Sequence, residues 1–197
     1  LHAQVAAFVR EKKAADVSVL DCRALGLDDE QMLDEVKRRQ PDAVFFGAMI
    51  AAAGGAAQLN RFHAAMQGIK EVLPKTITIG GGLMYTAVPQ KVMAENPQLD
   101  FAIVGVFGDN EYPLWELLEE LKKTAPKLGA IRGLAWRDGD EIVLNAARPV
   151  ISNLDDLPID VYPVGHTVAL RLLRDGAETR AEVRIGAICN EPPPSVA

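Results

Sequence analysis

Apolar positions recur along the chain in two alternating rhythms. Leu59, Phe62, Met66, Ile69 and Leu73 step by three and four, one face of a helix, and Pro74 stops the run. Val5, Phe8 and Val9 have helical spacing within Leu1 to Lys13. Met32, Leu33 and Val36 form a similar stripe behind Asp28, an N-cap with Gln31 three residues on, and Pro41 closes that helix. Leu114, Leu117, Leu118 and Leu121 predict another helix, with Pro113 in its first turn, and a short one is expected around Gln90 to Glu95. Between them stand short runs that predict strands: Val17 to Leu20, Ala43 to Met49, Thr76 to Ile79 and Phe101 to Val104. Strands alternating with helices at this spacing mean βαβ units, an α/β fold on a parallel sheet.

From Lys127 the pattern changes. Leu134 to Arg137 and Glu141 to Leu144 flank Asp138-Gly139, a hairpin signal. Pro149 to Pro163 is rich in proline and aspartate and is expected to be an extended linker. Thr167 to Leu173 and Thr179 to Ile188 predict a second hairpin around Asp175-Gly176, before a frayed end at Glu191 to Pro194. The expected organisation is an α/β domain over 1–126, a hairpin and linker over 127–163, and a divergent tail over 164–197.

Composition narrows the partners. A formal charge of −6 argues against nucleic-acid phosphates and against an anionic membrane surface. No apolar run approaches the roughly 20 residues of a membrane span, and Leu1 to Arg10 lacks the pattern of a signal peptide. Two distant cysteines, Cys22 and Cys189, favour a reducing, cytoplasmic setting and are too few for an iron–sulfur cluster.

Ligands of open parallel sheets bind beyond the carboxyl ends of the strands. Those ends carry Asp21, then Ala48-Met49-Ile50, then Gly80-Gly81-Gly82, then Gly105-Val106-Phe107-Gly108-Asp109. Glycine lets backbone approach a ligand and aims N–H groups at it, and few charges converge there, which suits a large flat or nucleotide-like ligand. The plainer account is that these glycines only make tight turns. An enzyme alternative is a metal-independent hydrolase, a glycosidase or phosphoesterase. Asp109 at a helix start would be base or nucleophile, Glu111 or Asp21 the second carboxyl, and Tyr85 a stacking platform. A pure interaction fragment is the third option. His2 is terminal, His63 in mid-helix is expected to be structural or solvent-facing, and His166 has no partner at metal-ligand spacing.

Val19 to Leu25, Arg39 to Val44, Ile79 to Gly82 and Asp100 to Asp109 together resemble the cobalamin-binding domain of B12-dependent radical SAM enzymes. Gly133 to Gly139 and Asn153 to Pro158 resemble the hairpin and linker that lead into the radical SAM barrel, so the likeness covers roughly Leu1 to Pro163. It implies a flavodoxin-like (Rossmann-type) sheet with helices on both faces. The implied ligand is cobalamin, contacted by Ala48, Met49, Ile50, Gly80, Gly81, Gly82, Gly105 and Gly108, or a site that keeps only the shape for it.

Departures from the family shape the remaining expectations. The chain starts inside the family's first helix, without the preceding central strand. Val106 stands where an acidic residue is usual, and neither the cysteine triad C-x-x-x-C-x-x-C nor a D-x-H-x-x-G histidine is present. The expected protein is therefore a shortened binding module with no radical SAM chemistry and no histidine lower ligand. Its sheet is expected to have a gap, filled by a tail strand or by a strand exchanged within a homodimer.

Overall fold

The computed structural model describes residues 2–47, 55–105, 110–149, 167–174 and 177–184. Two compact units divide the chain, Leu1–Ile159 and Asp160–Ala197. In the first, helices α1 (His2–Glu11), α2 (Asp29–Arg39), α3 (Gly55–Val72), α4 (Leu83–Ala87), α5 (Pro89–Glu95) and α6 (Glu111–Leu121) surround one sheet. Its strands are β1 (Ala43–Gly47), β2 (Ile77–Gly81), β3 (Phe101–Ile103), β4 (Leu134–Asp138) and β5 (Glu141–Leu144), and their spatial order equals their chain order. β1, β2 and β3 run parallel, and the β4–β5 hairpin continues the sheet antiparallel from β3. Among the described residues no helix is long and apolar enough to cross a membrane.

Local chemistry sets the helix ends. Asp28 Oδ1 accepts Gln31 N–H at 2.8 Å and Gln31 Oε1 accepts Asp28 N–H at 3.0 Å, the reciprocal box that starts α2. Gln40 turns left-handed at φ 49° and ends that helix ahead of Pro41.

Side-chain alternation splits the core between the two faces of the sheet. Ile79, Ile103 and Leu134 meet Val5 and Val9 of α1 and Leu114 and Leu117 of α6. On the opposite face Gly80, Ala102 and Ala135 are aligned by register across β2, β3 and β4. That row of small residues makes a trough, and Ala102 and Ala135 there pack with Tyr85, Met93 and Met66. Arg137 fastens the hairpin to α5: its guanidinium donates to the carbonyls of Met93, Asn96 (3.0 Å) and Leu99 (3.3 Å). At the amino end of β2, Asp100 Oδ2 accepts Lys70 Nζ at 2.6 Å and Thr78 N–H at 2.7 Å.

Three expectations are corrected. Val17 to Leu20 is not a strand. A strand needs a neighbouring ladder, and no described strand pairs with this stretch; instead the Arg10 guanidinium takes the Val17 carbonyl at 2.7 and 3.0 Å. The five-stranded sheet is continuous, with no gap among its strands, because the segment expected on the far side of that gap stays out of the ladder. Nor does the tail fill one. β6 (Thr167–Arg174) and β7 (Ala177–Arg184) pair with each other from end to end in a separate two-stranded sheet.

Candidate functional site

The described part of the carboxyl edge is built where β2 and β3 end. β2 passes directly into Gly82, whose φ of 90° and ψ of −176° are open only to glycine, and Gly82 begins α4. Its N–H is taken by Asn110 Oδ1 at 2.9 Å, so a side chain from the start of α6 reaches across to the end of β2. Thr86, one turn into α4, ties β2 to β3. Its hydroxyl accepts Gly105 N–H at 3.2 Å and lies 3.1 Å from the Gly82 carbonyl and 3.0 Å from that of Gly105, donating its single proton to one of them. Two adjacent strand ends and a helix start are thus locked into one ledge. From Gly80 to Gln90 the sequence carries no charged residue, and Leu83 (40% exposed) and Val88 (49%) present apolar surface there.

At Gly80 and Gly81 the interior leaves no room for a side chain. A Cβ on Gly80 would fall within 2.7 Å of three atoms of the Tyr85 ring. One on Gly81 would fall 2.6 Å from the Phe45 ring and 2.5 Å from Asn110 Oδ1. Gly82 is held by its backbone angle and Gly105 by the Thr86 bridge.

Ala48, Met49, Ile50, Gly108 and Asp109 lie outside the described residues. Of the other carboxylates weighed for hydrolysis, Asp21 is exposed and its Oδ1 accepts Ala24 N–H at 2.9 Å, which caps the turn after it. Glu111 is 3% exposed, and its Oε2 accepts Asn110 N–H at 3.0 Å. Tyr85 cannot stack on a sugar: it is fully buried in the trough under Gly80, and that burial pushes its phenol pKa well above the ordinary value. Among the described residues no observation favours hydrolysis.

Tyr85 Oη has no hydrogen-bond partner among the described residues. Tyr85→Phe is accordingly expected to change stability by less than about 0.5 kcal/mol, or to raise it, because the lost hydroxyl is a buried cost. A urea midpoint lowered by 1 kcal/mol or more, roughly the net worth of one hydrogen bond, would show the hydroxyl to be partnered.

Sequence reasoning missed Asn110 and Thr86. Asn110 precedes a helix and has the look of a cap, yet it makes no side-chain cap to α6 and instead reaches Gly82. Thr86 lies four residues after the triple glycine, a spacing that reaches back one helical turn to the Gly82 carbonyl.

Whether this ledge fits a corrinoid is answered by its chemistry. A broad macrocycle needs an uncharged shelf with apolar flanks and small residues, and Gly82, Gly105, Leu83 and Val88 supply these. An axial imidazole is not supplied by His63, which sits in mid-α3 against Tyr85.

Comparison with known proteins agrees with the geometry. The B12 binding domain family matches residues 2–117. An uncharacterized methyltransferase of Pyrococcus horikoshii is 28% identical over 160 residues, 81% of this chain and 32% of that protein. An anaerobic magnesium-protoporphyrin IX monomethyl ester cyclase of Cereibacter sphaeroides is 30% identical over 156 residues, 76% of this chain and 24% of that protein. A cyclase of the same name from Synechocystis is 27% identical over 152 residues, 76% of this chain and 28% of that protein. The chain thus spans about a quarter to a third of the length of these relatives. With more than half of its residues under the family match and the strand-end ledge in place, the chain belongs to the B12 binding domain family.

Proposed function

We propose that this chain is a cobalamin-holding module whose ligand lies on the carboxyl edge of β1–β3. The observation that carries this is the ledge in which Thr86 and Asn110 fix Gly82 and Gly105 beside apolar, charge-free surface, within the stretch matched to B12 binding domains. Gly80, Gly81, Gly82 and Gly105 form its described backbone; Ala48, Met49, Ile50 and Gly108, assigned to the same site from the sequence, lie outside the described residues. A bound corrinoid supplies the cobalt chemistry, while the chain's own residues hold and orient the ring. The proposed site uses no histidine lower ligand. With Cys22 and Cys189 alone the chain holds no iron–sulfur cluster; anaerobic reconstitution with stoichiometric iron and sulfide would contradict this.

The named activities of the relatives belong to proteins three to four times as long as the matched segment, so the proposal stops at holding the cofactor. Leu83→Glu tests the site without touching the core, since Leu83 is 40% exposed. Equilibrium dialysis against hydroxocobalamin should show affinity falling by about tenfold, equal to about 1.4 kcal/mol of lost apolar contact, with the urea midpoint unchanged. Unchanged affinity would move the ligand off this ledge.

A further inference from the structure

A file of contacts runs from the ledge down to solvent on the face of the sheet covered by α3, α4 and α5. The Tyr85 ring occupies the space where a Gly80 side chain would be. His63 of α3 meets that ring edge-on, with centroids 5.9 Å apart at 74°. Both side chains are buried, and neither Tyr85 Oη nor His63 Nε2 has a hydrogen-bond partner among the described residues. Behind His63 opens a groove of about 650 Å³ between α3 and the end of α5, lined by Asn60, Ala64, Gln67, Glu95 and Gln98 besides His63 itself. His63 thus lies between the Tyr85 ring and a water-accessible groove, with its Nε2 turned away from solvent.

We propose that protonation of His63 is a switch that loosens Tyr85 from beneath Gly80 and so releases the Gly80–Gly82 strand end. A neutral imidazole needs only one N–H donor, so Nε2 can stay bare. The imidazolium carries an N–H there with no acceptor beside it, and it is a charge taken out of water. The cheapest relief is for the ring to turn toward the groove, which removes one of the contacts that pack Tyr85 into its trough, the others being Met66, Met93, Ala102 and Ala135.

Charged groups on the surrounding elements do not offset that cost. Glu95 of α5 lines the groove but is 63% exposed and faces Lys91 at 3.9 Å. Arg137 of β4 donates to the Met93, Asn96 and Leu99 carbonyls, Lys70 pairs with Asp100, and Arg61 pairs with Asp29 of α2. Burial alone holds the His63 pKa below its ordinary value. The sign follows: the unfolded chain takes up the proton first, so the stability due to neutral His63 is complete above about pH 6.5 and is lost as pH falls below it.

The switch rests on the corrinoid proposal only for its consequence, a cofactor affinity that drops in acid. The test measures amide-exchange protection of Ile79 to Thr86 and hydroxocobalamin retention at about pH 7.5 and 5.5, either side of the ordinary histidine value. Wild type, His63→Phe and His63→Leu are compared. Wild type should lose protection and affinity by about tenfold in acid, while both variants hold one value across pH. Equal pH dependence in wild type and variants, or none in wild type, overturns the switch. Protection that switches only in wild type, with no cobalamin retained at either pH, upholds the switch and removes the corrinoid proposal instead. Should neither variant fold, the His63 ring titration followed by NMR in wild type must coincide with the loss of protection; separate midpoints overturn it.

Discussion

Gly81→Ala is expected to lower the stability of the fold by about 1–3 kcal/mol, the range for overpacking a filled core. The added methyl would fall 2.6 Å from Phe45 Cε2 and 2.5 Å from Asn110 Oδ1. Both are packed in place. Phe45 packs on the core beside Val5, Val9 and Ile79, and Asn110 is fully buried with its carboxamide on Gly82 N–H. Pushing Asn110 aside also frees the Gly82 donor, so strain and a lost hydrogen bond arrive together. Urea denaturation reads the effect, and an unchanged midpoint would show that the strand end has room to spare. A consequence follows for ligand work: a bulky residue at Gly81 abolishes binding by disturbing the core, whatever touches the ligand. Leu83 is the cleaner probe.

Arg137→Ala should cost about 3 kcal/mol. The guanidinium serves three backbone carbonyls, of Met93, Asn96 and Leu99, and these include the last turn of α5 and the approach to β3. Hydrogen bonds from a charged donor contribute about 1.5–3 kcal/mol, and partly buried carbonyls left without a donor add their own penalty. Arg137→Lys should recover only part, because one ammonium cannot reproduce the planar fork. If chemical denaturation places the alanine variant within about 0.5 kcal/mol of wild type, the hairpin is held by packing alone.

The elements that were legible in the sequence are those whose stabilisation is local. The Asp28–Gln31 box, the stripe from Leu59 to Leu73 and the Asp138-Gly139 turn each carry their cause within a few residues, and α2, α3 and the β4–β5 hairpin stand where those signals lie. Val17 to Leu20 misled because strand propensity says nothing about whether a neighbouring ladder exists. The triple glycine was recognised as special for an incomplete reason. Its first two members make room for Tyr85, Phe45 and Asn110, contacts between residues 5 to 36 positions apart that composition cannot display. Tyr85 was misplaced for the same cause: its trough exists only once Gly80, Ala102 and Ala135 are brought into register from three strands. The family itself was legible from the short motifs at the strand ends, and the match over 2–117 bears it out.

The central claim, that the ledge at Gly82 and Gly105 holds a corrinoid, is tested most directly by a difference spectrum of the whole chain mixed with hydroxocobalamin, followed by equilibrium dialysis. The expected result is a saturable spectral change with retained cobalamin approaching one per chain, and without the signature of histidine ligation. A spectrum equal to the sum of its parts, with no retention of any cobalamin form, would contradict it.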